Sequence, residues 1–154
     1  ATGINWTVYD RDIRARVPLS INDVLLEELT LIMRTPRWRV DEDVHFMLRG
    51  GIPGRAAQLL ERICWRPSSS HNNRGNGPNE FKFVDLNGSH CHAFEQNYDA
   101  VENKMCGKLR IAVPIEIDSY SFQKAFAYAL ERFNIKNGGG DCPEPPWEMN
   151  LFDD

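Results

Sequence analysis

Several things are scarce in this 154-residue chain, and each scarcity excludes a class of protein. No apolar run approaches the roughly 20 residues that a membrane span needs. The opening stretch, ATGINWTVYD, lacks the basic-then-apolar layout of a secretory signal, although a trimmed chain would have lost one. Only four cysteines occur (Cys64, Cys91, Cys106 and Cys142), and none forms a C-x-x-C pair, which argues against a zinc ribbon or a thioredoxin-type motif. They read as reduced, mostly buried thiols of an intracellular protein, so a cytoplasmic location is expected. Charge of one sign is also lacking. The formal net charge is -4, and the last fourteen residues alone carry five acids and no base, which leaves the rest of the chain at +1. A body this close to neutral is not one that coats nucleic acid by phosphate contacts alone.

What is present is ordinary for a globular domain: 42% hydrophobic and 26% charged residues, so global disorder is excluded. The segment INWTVYDRDIRARV alternates Ile4, Trp6 and Val8, then Ile13, Ala15 and Val17, which predicts one or two strands. LSINDVLLEELTLIMR reads as a helix, with Ser20 as N-cap, Asp23 in a capping box, and Leu25, Leu29, Ile32 and Met33 facing the core. VDEDVHFMLRGG suggests a short helix. GRAAQLLERICW suggests another, with Ala56, Leu59, Leu60, Ile63 and Cys64 in one stripe.

Residues 66–78, RPSSSHNNRGNGP, are almost free of apolar side chains and read as a mobile surface loop. EFKFVDL and SHCHAFEQ flank an Asn-Gly turn signal and suggest a hairpin. KLRIAVPIEI is the strongest strand, at a sheet edge or bulged because Pro114 cannot donate a ladder hydrogen bond. The final helix, DSYSFQKAFAYALERFNIKNGG, is capped by Asp118 or Ser119. It buries Phe122, Phe126, Ala129, Leu130 and Phe133, and Asn137 and Gly138 end it. The expected fold is α+β: an antiparallel or mixed sheet with helices packed on one side, in a single domain over 1–137, followed by a flexible Gly/Pro-rich acidic tail over 138–154.

Three groups of residues have chemical potential. His90 and His92 sit two apart, so strand alternation puts both imidazoles on one face and Cys91 on the other. Two imidazoles at that spacing can share a divalent metal. Alternatively they are solvent-facing hairpin residues. The second group is RTPRWR, with Arg34, Arg37 and Arg39 around Trp38, joined by Arg66 and Arg74 of the loop. Such a surface suits phosphates, an anionic membrane surface or RNA bases, unless Trp38 packs inward. The third group is the tail, where Trp147, Met149, Leu151 and Phe152 stand among acids and suit docking on a protein partner or another copy of the chain.

The His90-Cys91-His92 triplet resembles the histidine–hydrophobic–histidine motif of HUH-type nicking endonucleases. That resemblance implies a metal held by His90 and His92, with Tyr120 as nucleophile and Lys124 beside it. The order of elements resembles the core of rhabdovirus matrix proteins: an N-terminal strand, helices, a sheet interrupted by a long loop and a closing helix. This second resemblance implies a non-enzymatic protein that self-associates and bridges nucleoprotein to membrane, with no cofactor and no small-molecule substrate. The interaction protein is the main expectation. The metal-dependent endonuclease and an RNA-binding protein are its alternatives.

Overall fold

The computed structural model describes residues 3–117, 120–137 and 141–149. In chain order the elements are β1 (Trp6–Val8), β2 (Asp12–Ile21), β3 (Val24–Pro36), β4 (Val44–Gly50), β5 (Gln58–Trp65) and β6 (His71–Asn72). A 3-10 turn at Asn79–Phe81 leads to β7 (Asp85–Leu86), β8 (His90–His92), α1 (Phe94–Asn97), β9 (Tyr98–Asp99), β10 (Lys104–Met105), β11 (Val113–Pro114) and α2 (Phe122–Arg132). The fold is sheet-dominated α+β. Seven strands form one antiparallel sheet in the order β1-β2-β3-β4-β5-β8-β11, and β6–β7 and β9–β10 form two small ribbons. No helix among the described residues is long and apolar enough to cross a membrane.

The largest departure from the sequence reading is the segment LSINDVLLEELTLIMR, which is a hairpin of β2 and β3 and not a helix. Asn22 and Asp23 both take positive φ, 49° and 64°, and Ile21 pairs with Val24 across them. That is the two-residue hairpin turn whose twist matches its strands, and Asn and Asp tolerate it. Alternation then places Leu31 and Met33 in the core and leaves Leu25 61% exposed. VDEDVHFMLRGG and GRAAQLLERICW likewise become β4 and β5. A short run of adjacent apolar residues fits either period, and cross-strand pairing decides between them.

The expected hairpin joining EFKFVDL to SHCHAFEQ is also absent: β7 pairs with β6, and β8 pairs with β5 and β11. The segment KLRIAVPIEI supplies only the two-residue β11, at the sheet edge where Pro114 requires it to be. The N-terminal alternation does give β1 and β2, with Ile13 and Ala15 buried.

In place of the helices expected along one side of the sheet, α2 alone packs on its central strands. Phe122, Ala125, Phe126, Ala129 and Leu130 join Leu31, Met33, Val44, Phe46, Ile63 and Trp65 in one apolar cluster. The Phe46 ring lies 6.0 Å from that of Phe122 and 6.5 Å from that of Phe126. Burying a ring of this kind contributes about 2–3 kcal/mol. The buried stripe is the one that the sequence predicts. The stop comes earlier than expected, at Asn134, whose positive φ lets its N–H reach Glu131 O while Ile135 N–H reaches Leu130 O. The expected N-caps Asp118 and Ser119, and Gly138, lie outside the described residues.

Residues 141–149 also lie against this cluster. Cys142 is buried, Trp6 donates its indole N–H to Pro143 O at 2.7 Å, and Trp147 donates its own to Thr35 Oγ1 at 3.0 Å.

On the opposite side of the sheet, Arg14 and Arg34 face each other across β2 and β3. Like charges so placed repel, and Asp12 offsets this by accepting from both at 2.8 Å. The hydrogen bond from Arg14, helped by the charge of Arg34, holds the Asp12 carboxyl below its ordinary value of 3.8. A depressed carboxyl stabilises the fold above its unfolded pKa, and that contribution disappears as pH falls through the folded value. Asp12→Asn is therefore expected to cost about 1 kcal/mol at pH 7, kept small by water around the half-exposed guanidiniums. Urea titrations should show the difference from the parent shrinking below about pH 4.

Candidate metal centre

Three rungs join β5 to β8: Arg62 opposite His92, Ile63 opposite Cys91, and Cys64 opposite His90. Because side chains alternate, Ile63 and Cys91 enter the α2-side cluster, whereas Cys64, His90 and His92 share the other face. Both imidazoles thus share one face with Cys91 on the other, as alternation predicts, but β8 belongs to the main sheet and not to the expected hairpin, and the two histidines are buried and not solvent-facing. One donor atom from each of Cys64, His90 and His92 lies within 4.8 Å of the other two, and all three residues are buried.

A third imidazole comes from the segment read as a mobile loop. His71, in β6, places its ring centroid 5.5 Å from that of His90 and 4.7 Å from that of His92, and those two are 5.1 Å apart. Imidazoles bound tetrahedrally through nitrogens about 2.0–2.1 Å from a metal have centroids about 5 Å apart. The His71 ring is near that spacing, but the group of converging donor atoms consists of Cys64, His90 and His92 alone.

The loop is fixed by a buried amide. Asn73 is 2% exposed, accepts from Ala112 N–H at 2.8 Å, and donates to Ala112 O at 2.8 Å and Phe81 O at 3.1 Å. Asn97 does the same for the preceding residue, accepting from Ile111 N–H at 2.9 Å and donating to Ile111 O at 2.8 Å. These side chains replace a strand ladder along 109–112, which explains why KLRIAVPIEI is not one long strand. His71 Nε2 donates to Arg110 O at 2.9 Å, and His92 Nδ1 donates to Leu109 O. The segment therefore lies over the histidine face of the sheet and shields it from water.

Hydrogen bonds to carbonyls also fix the tautomers, since a carbonyl only accepts. His90 Nδ1 donates to Gly88 O at 2.9 Å, which frees Nε2 as a lone-pair donor. His71 has Nδ1 free. His92 Nε2 accepts from Arg62 Nη2 at 2.9 Å. A ligating histidine commonly has its other nitrogen on a backbone carbonyl, the arrangement seen three times here. Burial lowers the His90 pKa, and burial together with the Arg62 charge pushes His92 down to about 2, so both rings are neutral. Burial raises the Cys64 thiol to about 11. The Arg62 Nε is buried without a hydrogen-bond partner, which costs stability.

The remaining expected site residues disperse. Tyr120 is 79% exposed and lies under the Arg66 guanidinium, 4.7 Å from it. It lines a cleft of about 450 Å³ with Glu42, Ser68 and Ser89, and the clustered imidazoles are not part of that wall. Lys124 is exposed on α2. Arg34 is held by Asp12, Arg37 by Glu148 at 2.6 Å, and Arg66 by Asp41 O at 2.7 Å. Trp38 stays 43% exposed beneath Arg37, and Arg39 is exposed. Arg74 joins His71 and Arg110 at a second cleft.

Of the four tail residues expected to meet a partner, Trp147 is engaged by the protein's own core. Met149 is 77% exposed, and Leu151 and Phe152 lie outside the described residues. Cys64, His71 and Arg62 had no signal in the linear sequence. Only the β5–β8 register and the path of the loop bring them together.

No family model, curated protein or solved structure matches this chain.

The amide contacts of Asn73 are open to a direct test. Asn73→Leu leaves Ala112 N–H and O buried without partners and is expected to cost about 2–4 kcal/mol in urea unfolding. Hydrogen exchange at the Ala112 amide should accelerate at least tenfold.

Proposed function

We propose that this protein is a zinc-binding, non-catalytic domain in which Cys64, His71, His90 and His92 hold the ion. The observation that carries this reading is the convergence of one donor atom each from Cys64, His90 and His92 within 4.8 Å, and the His71 ring, 4.7 Å from that of His92, is the nearest candidate for a fourth ligand. One thiolate and three neutral imidazoles make a donor set that suits Zn²⁺ in tetrahedral geometry. Four protein donors leave no coordination position for water, and the burial of three of them supports a structural centre over a hydrolytic one. The ion would tie three pieces together: β5 through Cys64, β8 through its two histidines, and the 66–78 segment through His71.

Arg62 has a definite part in this. Its Nη2 occupies the lone pair of His92 that the metal would take, so loading requires the guanidinium to turn aside. Loading also expels the Cys64 proton, since the thiolate is the ligand. The endonuclease reading shares the histidine pair, but its expected nucleophile, Tyr120, lines a different cleft.

Tag-free protein should bind one equivalent of zinc by elemental analysis and lose it to a strong chelator, with a lower thermal midpoint afterwards. Cobalt in place of zinc should give a thiolate-to-metal charge-transfer band that disappears in Cys64→Ser. His90→Ala should reduce zinc affinity at least 100-fold. A folded protein, verified by circular dichroism, that takes up neither metal would refute the proposal.

A further inference from the structure

The face of the sheet that carries the histidines continues beyond them across β2 to β5, with Arg14, Arg16 and Arg34 exposed and His45, Met47 and Arg49 half-buried. Cross-strand register arranges it in rows. Arg14, Arg34 and His45 run in line with Cys64, and Arg16, Ile32 and Met47 run in line with Arg62. A third row carries Pro18, Thr30 and Arg49. Five arginines therefore stand on one flat surface, about 15 Å across from β2 to β5 at normal strand spacing.

Only Arg14 and Arg34 have a carboxylate, and they share the single one of Asp12. Among the described residues Arg16 and Arg49 form no ion pair, and Arg62 spends its reach on a neutral imidazole. The side chains of Arg14 and Arg34 remain 48% and 54% exposed even with Asp12 bound.

We propose that this face binds single-stranded nucleic acid, with Arg14, Arg16, Arg34 and Arg49 contacting phosphates. Guanidiniums suit phosphate because their donors form a planar fork. A single strand is favoured over a duplex because half-buried Ile32 and Met47 lie between the arginines, where unstacked bases can rest. A duplex hides its bases and would touch a flat sheet only along a narrow line. This surface is separate from the RTPRWR turn, whose Arg37 is already paired with Glu148. It also stands independently of the zinc reading, since neither Arg16 nor Arg49 belongs to the metal centre.

The test is fluorescence anisotropy with labelled 15-nucleotide oligo(U) and oligo(dT). Binding should weaken roughly 50-fold between 50 and 200 mM salt if about four phosphates are contacted. The double variant Arg16→Glu/Arg49→Glu should lose at least tenfold in affinity and show a shallower salt slope. Its thermal midpoint should match that of the parent, because neither side chain has a described partner. Lys136→Glu, beyond α2, should bind like the parent. The proposal is overturned by absence of binding at 50 mM salt. Binding unchanged in a folded double variant, or affinity for anionic lipid vesicles with none for either oligonucleotide, would overturn it equally.

Discussion

The short ladder between β5 and β8 constrains everything else in this molecule. Three rungs are little by the standards of the β2–β3 hairpin, yet they fix which side chains share a face. A slip of one residue would send Cys64 or the two histidines into the α2-side core and bring Cys91 or Ile63 out, since side chains alternate with period two. The pairing is held from both sides. On one, Ile63, Trp65 and Cys91 are locked in the apolar cluster, and Glu61 accepts from Arg132 at 2.6 Å. On the other, the 109–112 segment is fastened over the histidines.

That fastening shows how a polar cluster survives burial. Two imidazoles and a thiol away from water, with a third imidazole half-buried beside them, would be costly if left unsatisfied. Here one nitrogen of each ring meets a backbone carbonyl, and two buried asparagines supply the ladder that 109–112 cannot form with a neighbouring strand. The segment in turn needs Leu109 at a positive φ of 53°, a conformation that a leucine adopts only when its surroundings hold it there. Leu109 itself is fully buried, in a second apolar cluster with Ile52 and Met105. Packing and polar pairing thus support the same turn of backbone.

Parts of this were legible in the sequence and parts were not, for physical reasons. The α2 stripe from Phe122 to Phe133 is long and strictly periodic, so it is read correctly. Trp6, Ile13 and Ala15 alternate cleanly and give their strands. The helices expected at Ser20–Arg34 and Arg55–Trp65 fail because Leu25, Leu29, Leu59 and Leu60 satisfy a helical period by coincidence, while the Asn22–Asp23 turn favours a hairpin. For the site, the spacing of His90 and His92 revealed the pair and its common face. It could not reveal Cys64, 26 residues upstream of His90, or His71, which sits among serines and asparagines like any loop residue. Composition marks that stretch as mobile, but the contacts of Asn73 make it ordered.

The two borders of the main sheet are unlike. At one, β11 is two residues long and contains Pro114, which has no N–H to offer an incoming strand. At the other, β1 is three residues of Trp, Thr and Val, and nothing in those residues blocks its outer hydrogen-bonding groups. The two borders therefore do not offer the same backbone donors: an N–H is missing at Pro114, whereas Trp6, Thr7 and Val8 each carry one.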